Sequence, residues 1–172
     1  MLKESAGRAQ VLGSAFMAAA MAAVVGTAIG FERIGGYIPC KLCLEQRIPY
    51  YVGVPIALVA LVAAIMKWPG AISRIALVIV GLLMAYSLYL GVFHSGVEWG
   101  WWPGPLDCST SSTSGLTTDA SDLLGAIDVQ KPPSCDEAAG RFLGLSFAGW
   151  NVIASLVLAL AAFKAAFAKN NG

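Results

Sequence analysis

The chain has few charged residues. Only 12% of its 172 residues are Asp, Glu, Lys or Arg, about half the share of a soluble domain, and 58% are hydrophobic. A soluble protein of this length could not hide so much apolar surface, so the composition favours a membrane protein. The formal net charge of +1 gives no reason to expect a nucleic-acid partner. The sequence also has no internal repeat and no glycine-rich phosphate loop, the usual marks of repeat and nucleotide-binding proteins.

Four segments contain no Asp, Glu, Lys or Arg and are close to the ~20 residues that cross a bilayer core. They are residues 11–30, 48–66, 75–93 and 143–163. Each must be helical, because only a helix satisfies its own backbone hydrogen bonds in lipid. The sequence therefore predicts an all-α membrane protein, a single four-transmembrane-helix bundle over residues 1–172, with two outward loops at 31–47 and 94–142.

The first of these segments has an alternative interpretation. Lys3 and Arg8 before an alanine-rich apolar run also describe a cleavable signal peptide. The run is longer than the ~7–15 residues of a typical signal core, and three further spans follow it. A retained helix is therefore the prediction.

Glycines and tryptophans in and around the spans are assigned packing and anchoring roles. We interpret five glycines as positions where helices approach closely: Gly26, Gly30, Gly53, Gly81 and Gly91. The tryptophans at the two ends of the spans are typical of an interfacial aromatic belt: Trp68 on one side, and Trp99, Trp101 and Trp102 on the other.

The distribution of Lys and Arg predicts the orientation. Six of the eleven basic residues fall in the two terminal tails and the turn between the second and third spans: Lys3, Arg8, Lys67, Arg74, Lys164 and Lys169. Because successive spans alternate in direction, these three segments share one side, which the positive-inside rule makes cytoplasmic. Both termini are therefore expected in the cytoplasm, and the two cysteine-bearing loops in an oxidising compartment outside it.

The four cysteines form two pairs on that outer side. Cys40 and Cys43 make a C-x-x-C motif, a spacing that lets two thiols form and break a disulfide reversibly, and a helix starting near Cys43 would stabilise a thiolate there. Cys108 and Cys135 lie in the second loop, where they could form a structural disulfide or exchange with the first pair. A flexible loop beside a reactive motif favours exchange, although four cysteines allow three connectivities. Zinc is disfavoured, because one pair is widely split and zinc sites usually combine close-spaced ligands.

Two further residues near these thiols each have two interpretations. Arg47 lies four residues after Cys43, so on a helix it would share a face with the thiols. It could extend to the lipid headgroups, or it could polarise a carbonyl oxygen beside the thiols. His94, the single histidine, ends the third span on the same side. It could be a packing residue, or it could lie near Arg47 and donate a hydrogen bond or a proton.

These motifs together resemble a known family. Residues 40–47 read Cys-Lys-Leu-Cys-Leu-Glu-Gln-Arg, which matches the C-x-x-C-x-x-x-R motif of the disulfide bond formation protein B (DsbB) family. Cys135-Asp136-Glu137, followed by residues 141–145, is similar to the end of that family's second outward loop, and Cys108 fits its other loop cysteine. The family comprises bacterial inner-membrane thiol oxidases that use quinone, and the similarity extends over essentially the whole chain.

The resemblance implies a two-disulfide relay. A reduced periplasmic DsbA-like thiol oxidase would attack a Cys108–Cys135 disulfide, which Cys40–Cys43 would reoxidise before passing two electrons to ubiquinone or menaquinone at Cys43. Arg47 would hold a quinone oxygen and His94 would lie close to it. No metal or nucleic acid is implied, and the location would be the inner membrane with periplasmic cysteines.

Two alternative functions remain. One is a vitamin K epoxide reductase-like enzyme, which also couples thiols to a quinone. In that family the loop cysteines precede the C-x-x-C motif, whereas here they follow it, so the order is unfavourable. The other is a non-enzymatic membrane scaffold braced by two disulfides, which would show no turnover and no mixed disulfide with a partner.

Overall fold

The chain forms four long helices and one short hairpin. The computed structural model describes residues 6–105, 135–136 and 138–168. The elements in chain order are α1 (Arg8–Arg33), α2 (Lys41–Ile65), α3 (Gly70–Glu98), β1 (Arg141–Phe142), β2 (Leu145–Ser146) and α4 (Phe147–Phe167). Every helix is long and apolar enough to cross a membrane, which confirms the predicted all-α fold with four spans. Cys108 and most of the predicted second loop lie outside the described residues.

The helices begin and end at different residues from the charge-free segments. α2 starts at Lys41 rather than at residue 48, and α3 runs on to Glu98, because charged side chains at a helix end do not interrupt backbone hydrogen bonding. Cys40 caps α2, since its Sγ accepts a hydrogen bond from the backbone N–H of Cys43 at 3.3 Å. Cys43 and Arg47 therefore lie on the first turns of a helix and not in a loop.

The fourth helix starts later than the segment 143–163. Leu143 and Gly144 have φ angles of 52° and 83° and form the turn of the β1–β2 hairpin, in which Phe142 pairs with Leu145. Helix α4 begins directly after this hairpin. Its N-cap is Ser146, whose Oγ accepts a hydrogen bond from the backbone N–H of Gly149 at 3.2 Å. The positive φ values and the cap together move the helix start to Phe147.

The interior of the bundle consists mainly of alanines and a few large side chains. Fully buried large residues from three helices fill the centre: Met17, Met21, Tyr50, Leu77, Val80 and Met84. Large apolar side chains also cover the outside, as lipid contact requires: Leu12, Phe16, Leu58, Val59, Ile75, Leu82 and Leu160. Small residues inside let the helix backbones approach closely, and large residues outside face the acyl chains.

Contacts between helix termini define the two ends of the bundle. Phe31 at the end of α1 packs against Phe147 at the start of α4, with ring centroids 5.0 Å apart. Cys40 before α2 lies 3.6 Å from His94 near the end of α3. We call this the cysteine end. At the opposite end, Gln10 of α1 donates a hydrogen bond to the backbone oxygen of Ala168, which follows α4.

The glycines divide into two groups. A Cβ atom at Gly53, Gly81 or Gly91 would come within about 3 Å of a side chain of another helix, as expected for close-packing positions. The interpretation was wrong for Gly26 and Gly30, where a Cβ would meet nothing within 4 Å. Both lie on α1, which is the least buried helix of the bundle.

One tryptophan also departs from the expected belt. Trp68, Trp99 and Trp101 are exposed, but Trp102 is half-buried. Its indole N–H donates to the backbone oxygen of Phe93 at 2.8 Å, and the ring folds back over α3. Trp102 therefore packs against the protein, whereas the other three remain available to lipid headgroups.

Candidate redox site

The two cysteines of the C-x-x-C motif lie side by side at the start of α2. Their Sγ atoms are 3.1 Å apart, about 1 Å longer than a disulfide bond, and both thiols are free. Cys40 is 1% exposed, whereas Cys43 is half-buried. The helix start holds the pair in place, so a disulfide can form between them with little movement of the backbone.

The surroundings of Cys40 favour its thiolate. A side-chain hydrogen bond with Cys43 lowers the pKa of Cys40 from its ordinary 9.0 to about 4, against the opposing effect of burial. His94, whose Nε2 lies 3.6 Å from the sulfur, and the backbone N–H of Cys43 lower this pKa further. These contacts favour the thiolate form of Cys40 in the reduced pair.

Cys40 also belongs to a buried cluster that contains a third cysteine. Leu42, Val97 and Cys135 complete the cluster, and each is at most 3% exposed. Cys135 is engaged in a disulfide. The free dithiol and a disulfide-bonded cysteine of the second predicted loop therefore pack in the same small region at the cysteine end.

A network of polar side chains runs through the bundle behind the dithiol. His94 Nδ1 lies 2.7 Å from Gln46 Nε2, and Gln46 Oε1 accepts a hydrogen bond from Asn151 Nδ2 at 2.7 Å. The Tyr50 hydroxyl donates to Asn151 Oδ1, also at 2.7 Å. Glu98, whose side chain is 4% exposed, places Oε1 3.7 Å from His94 Nε2. The network joins α2, α3 and α4 directly beneath the cysteines.

A cavity of about 530 Å³ opens beside Cys43 between α1, α2, α4 and the hairpin. Most of its wall is apolar, with several aromatic rings near the cysteine end: Phe31, Tyr37, Phe142, Phe147 and Trp150. A small number of polar side chains also reach it: Thr27, Glu32, Cys43, Gln46, Arg47, Tyr50 and Asn151. An apolar cleft with a few placed polar groups is the usual form of a small-molecule site.

Arg47 lines this cavity one turn below Cys43. Its side chain is 13% exposed, and its Nη1 forms an ion pair with Glu32 of α1. Its Nη2 lies 3.5 Å from the backbone oxygen of Ala28, also in α1. These contacts hold the guanidinium inside the bundle at the cavity wall.

Comparison with known proteins identifies the family. The model of the family described as "Disulfide bond formation protein DsbB" matches residues 11–165, nearly the whole chain. The chain belongs to the DsbB family. It is therefore a multi-pass membrane protein of disulfide bond formation, in a family of oxidoreductases.

A relative and a structural comparison complete this result. An uncharacterized protein (RP370) of Rickettsia prowazekii strain Madrid E is 26% identical over 134 residues, which cover 78% of this chain and 74% of the relative. No solved structure matches the chain significantly.

The structure brings together three of the residues singled out from the sequence. Cys43 and Arg47 lie on the cavity wall, and Cys40 lies directly behind Cys43, with the two Sγ atoms 3.1 Å apart. His94 is not among the described residues that line the cavity, and it lies behind Cys40 instead. Cys135 packs in the cluster with Cys40, while Cys108 falls outside the described residues.

Four amide or carboxylate side chains of the site, and the Tyr50 hydroxyl, were not found from the sequence. Gln46 and Asn151 are polar residues within or beside apolar spans, and Glu32 and Glu98 are carboxylates near span ends. Polar side chains in membrane helices are costly and are usually functional or paired with one another. That cost was the signal available in the sequence, but the pairing depends on which helices are neighbours.

Proposed function

We propose that this DsbB-family protein is a quinone-dependent thiol oxidase that reoxidises a DsbA-like dithiol protein. The observation that carries the proposal is the cavity of about 530 Å³, which has Cys43 and Arg47 on its wall and Cys40 directly behind Cys43. A reactive dithiol beside an apolar cavity suits a lipid-soluble electron acceptor. An apolar wall would not stabilise the binding of a polar, water-soluble acceptor.

The residues of the cavity fit a quinone. Aromatic rings of Phe31, Phe147 and Trp150 provide flat apolar surfaces for a ring and its hydrocarbon tail. The Arg47 guanidinium and the Tyr50 hydroxyl are polar groups for carbonyl oxygens. A quinone supplies an acceptor for two electrons and two protons. Its high potential is required because DsbA-like oxidants, near −120 mV in the standard case, are themselves strongly oxidising.

The two cysteines of the motif would have different partners. Cys40 packs in the cluster with Cys135, so it is the sulfur that a loop thiolate would reach. Attack at Cys40 joins it to the loop cysteine, breaks the Cys40–Cys43 disulfide and releases Cys43 as a thiolate facing the cavity. The second loop thiolate then displaces Cys40, which re-forms the loop disulfide and leaves the Cys40–Cys43 pair reduced. The pair of electrons then resides on Cys43, next to Arg47, whose positive charge stabilises anionic character there.

The loop disulfide would receive electrons first. We propose that Cys108 and Cys135 form it, which agrees with Cys135 being disulfide-bonded while Cys40 and Cys43 are free. A thiolate of the reduced partner attacks this disulfide and forms a mixed disulfide. The partner's second thiolate then attacks the mixed disulfide. The partner dissociates with its own disulfide formed, and the two loop cysteines remain as thiols.

The same proposal includes an orientation. The cysteine end would face the periplasm of a bacterial inner membrane, and both termini would lie in the cytoplasm, as the density of Lys and Arg indicates. This places the cysteines in the oxidising compartment where a DsbA-like partner acts.

The direct test is quinone reduction by purified protein. Detergent-solubilised protein is mixed with a reduced DsbA-like oxidase and a soluble quinone, and the quinone absorbance is followed. We expect turnover that disappears in Cys43→Ser. If the protein reduces no quinone in a cysteine-dependent manner, the oxidase proposal fails and a disulfide-stabilised scaffold remains.

The same assay tests the role of Arg47. Removing a charge-assisted hydrogen bond costs about 1.5–3 kcal/mol, so Arg47→Ala should raise the apparent KM for quinone by roughly 10- to 100-fold. Arg33→Ala is the matched control, because Arg33 is exposed at the end of α1. Equal quinone kinetics in the two variants would assign Arg47 a purely structural role.

A further inference from the structure

His94 lies between two groups that contact different nitrogens of its ring. Nδ1 is 2.7 Å from the amide nitrogen of Gln46. Nε2 is 3.6 Å from Cys40 Sγ and 3.7 Å from Glu98 Oε1. Because His94 is only 1% exposed, water does not compete with these neighbours, and they determine which ring nitrogen carries the proton.

The amide of Gln46 has a defined orientation. Its Nε2 lies 3.2 Å from the backbone oxygen of Leu42, which can only accept a hydrogen bond. Its Oε1 lies 2.7 Å from Nδ2 of Asn151. A flipped Gln46 would place its oxygen against the Leu42 carbonyl and its amide N–H groups against those of Asn151.

Asn151 is oriented in turn by its own neighbours. Its Nδ2 lies 3.4 Å from the backbone oxygen of Ser87, and its Oδ1 accepts the Tyr50 hydroxyl at 2.7 Å. If Asn151 were flipped, its Oδ1 would lie against the backbone oxygen of Ser87, and two acceptors would face each other. Both amides therefore keep one orientation, in which Gln46 presents an N–H group to His94.

We infer that Gln46, held by Asn151, is a positioning residue that fixes His94 as the tautomer protonated on Nε2. An amide N–H can donate only to a bare ring nitrogen, so Nδ1 must be the unprotonated one. The ring proton then lies on Nε2, on the side of Cys40. His94 acts as a hydrogen-bond donor to the Cys40 thiolate and not as the base that removes the thiol proton.

This arrangement has a consequence for metal ions. The ligand atoms of Cys40, Cys43 and His94 lie within 4.8 Å of one another, a spacing that a thiophilic cation could bridge. A metal ion would require the lone pair of Nε2, and hence a proton on Nδ1 with an acceptor beside it. Gln46 presents a donor there. The hydrogen bond that orients His94 therefore also opposes the binding of Zn²⁺ by the reduced dithiol.

The tautomer can be measured directly, because His94 is the single histidine of the chain. We would label histidine with ¹⁵N, reduce the full-length protein in detergent or lipid, and record the two ring nitrogens near neutral pH. The expected spectrum has a protonated Nε2 and a bare Nδ1. A proton on Nδ1 would overturn the inference.

Variants of the amide pair test its role. Gln46→Glu places a carboxylate acceptor at Nδ1, so the proton should move to Nδ1 and zinc affinity of the reduced protein should rise by about 10- to 100-fold. Leu44→Glu is the control, since it adds the same charge at a side chain that is 48% exposed on the same helix. Zinc affinity is measured without oxygen, by competition with a chelating dye.

A second variant covers the case in which Gln46→Glu does not fold. Asn151→Ala frees the Gln46 amide to rotate, and the His94 spectrum should then show both tautomers. An unchanged spectrum in the folded variants would contradict the inference. So would a zinc affinity of Gln46→Glu that equals the affinities of the native protein and Leu44→Glu.

Discussion

The sulfur of Cys40 differs from an ordinary thiol because several donors meet at one buried atom. The side chain and the backbone N–H of Cys43 both contact it, and His94 approaches from α3. Burial alone would raise the pKa of this thiol, but the side-chain hydrogen bond with Cys43 outweighs it and lowers the pKa to about 4. In the reduced protein Cys40 should therefore be ionised throughout the physiological range.

The ionisation of Cys40 can be followed by thiolate absorbance near 240 nm. In reduced native protein, minus a Cys40→Ser reference, the signal should persist as the pH falls and disappear only near 4. The groups that contact the sulfur are Cys43 and His94, and Glu98 lies beside His94, so the reference keeps all three. A signal that appears only as the pH rises towards 9 would show that Cys40 titrates as an ordinary thiol.

The stability of the reduced protein should depend on pH in the same way. The folded-state pKa of Cys40 is depressed relative to its ordinary 9.0. Its contribution is therefore complete above pH 9 and is lost as the pH falls towards about 4. The oxidised protein should lack this term, because a disulfide does not titrate.

Among the elements, α3 depends on a missing side chain at Gly96. A Cβ there would overlap the indole ring of Trp102, which packs on the helix and donates to the backbone oxygen of Phe93. Trp102 and Phe93 in turn contact the cluster that contains Cys40 and Cys135. Gly96 thus allows the segment after α3 to fold back over the buried cysteines.

Replacing this glycine should destabilise the bundle. Gly96→Ala forces the Trp102 ring outward, at a cost of about 1–3 kcal/mol for overpacking. Gly26→Ala is the matched control, because a Cβ there meets nothing within 4 Å and alanine favours a helix by up to ~1 kcal/mol. Thermal unfolding in detergent should show a lower midpoint for the first variant and an equal or higher midpoint for the second. Equal midpoints would mean that Trp102 moves without cost.

At the scale of the whole molecule, the cysteine that a soluble partner would attack and the cysteine that faces the cavity are different residues. Cys135 is 1% exposed, so a soluble partner cannot reach it in this structure. The other sulfur of the proposed loop disulfide, Cys108, is the expected point of attack. Cys43, by contrast, lies on the wall of the cavity.

This division predicts a trapped complex. In Cys135→Ser the Cys108 thiolate can attack the disulfide of an oxidised DsbA-like protein, which joins Cys108 to the partner and releases the partner's second thiolate. Because Cys135 is absent and cannot displace the partner from Cys108, the disulfide-linked complex should accumulate. Non-reducing gels would show it, and the double variant Cys108→Ser/Cys135→Ser should not form it. Monomer alone in Cys135→Ser would count against Cys108 as the contact cysteine.

The sequence was sufficient to predict the four spanning helices and the C-x-x-C motif. It was not sufficient to predict the contacts around the Cys40 and Cys43 thiols. Charge-free length identifies spans, because lipid excludes charge from most of each helix. It could not place the start of α4, which a turn at Leu143 and the Ser146 cap determine. The Gln46–His94–Asn151 network joins residues up to 105 positions apart, so no local pattern could reveal it.

The ion pair of Arg47 with Glu32 should also affect which molecules the cavity accepts. A solitary arginine at a lipid-facing opening would attract the phosphate of a neighbouring phospholipid, because guanidinium and phosphate bind each other through paired hydrogen bonds. Glu32 already pairs with Arg47, so a lipid phosphate would have to compete with that carboxylate for the guanidinium. We therefore expect the cavity to favour an uncharged ligand over an anionic lipid.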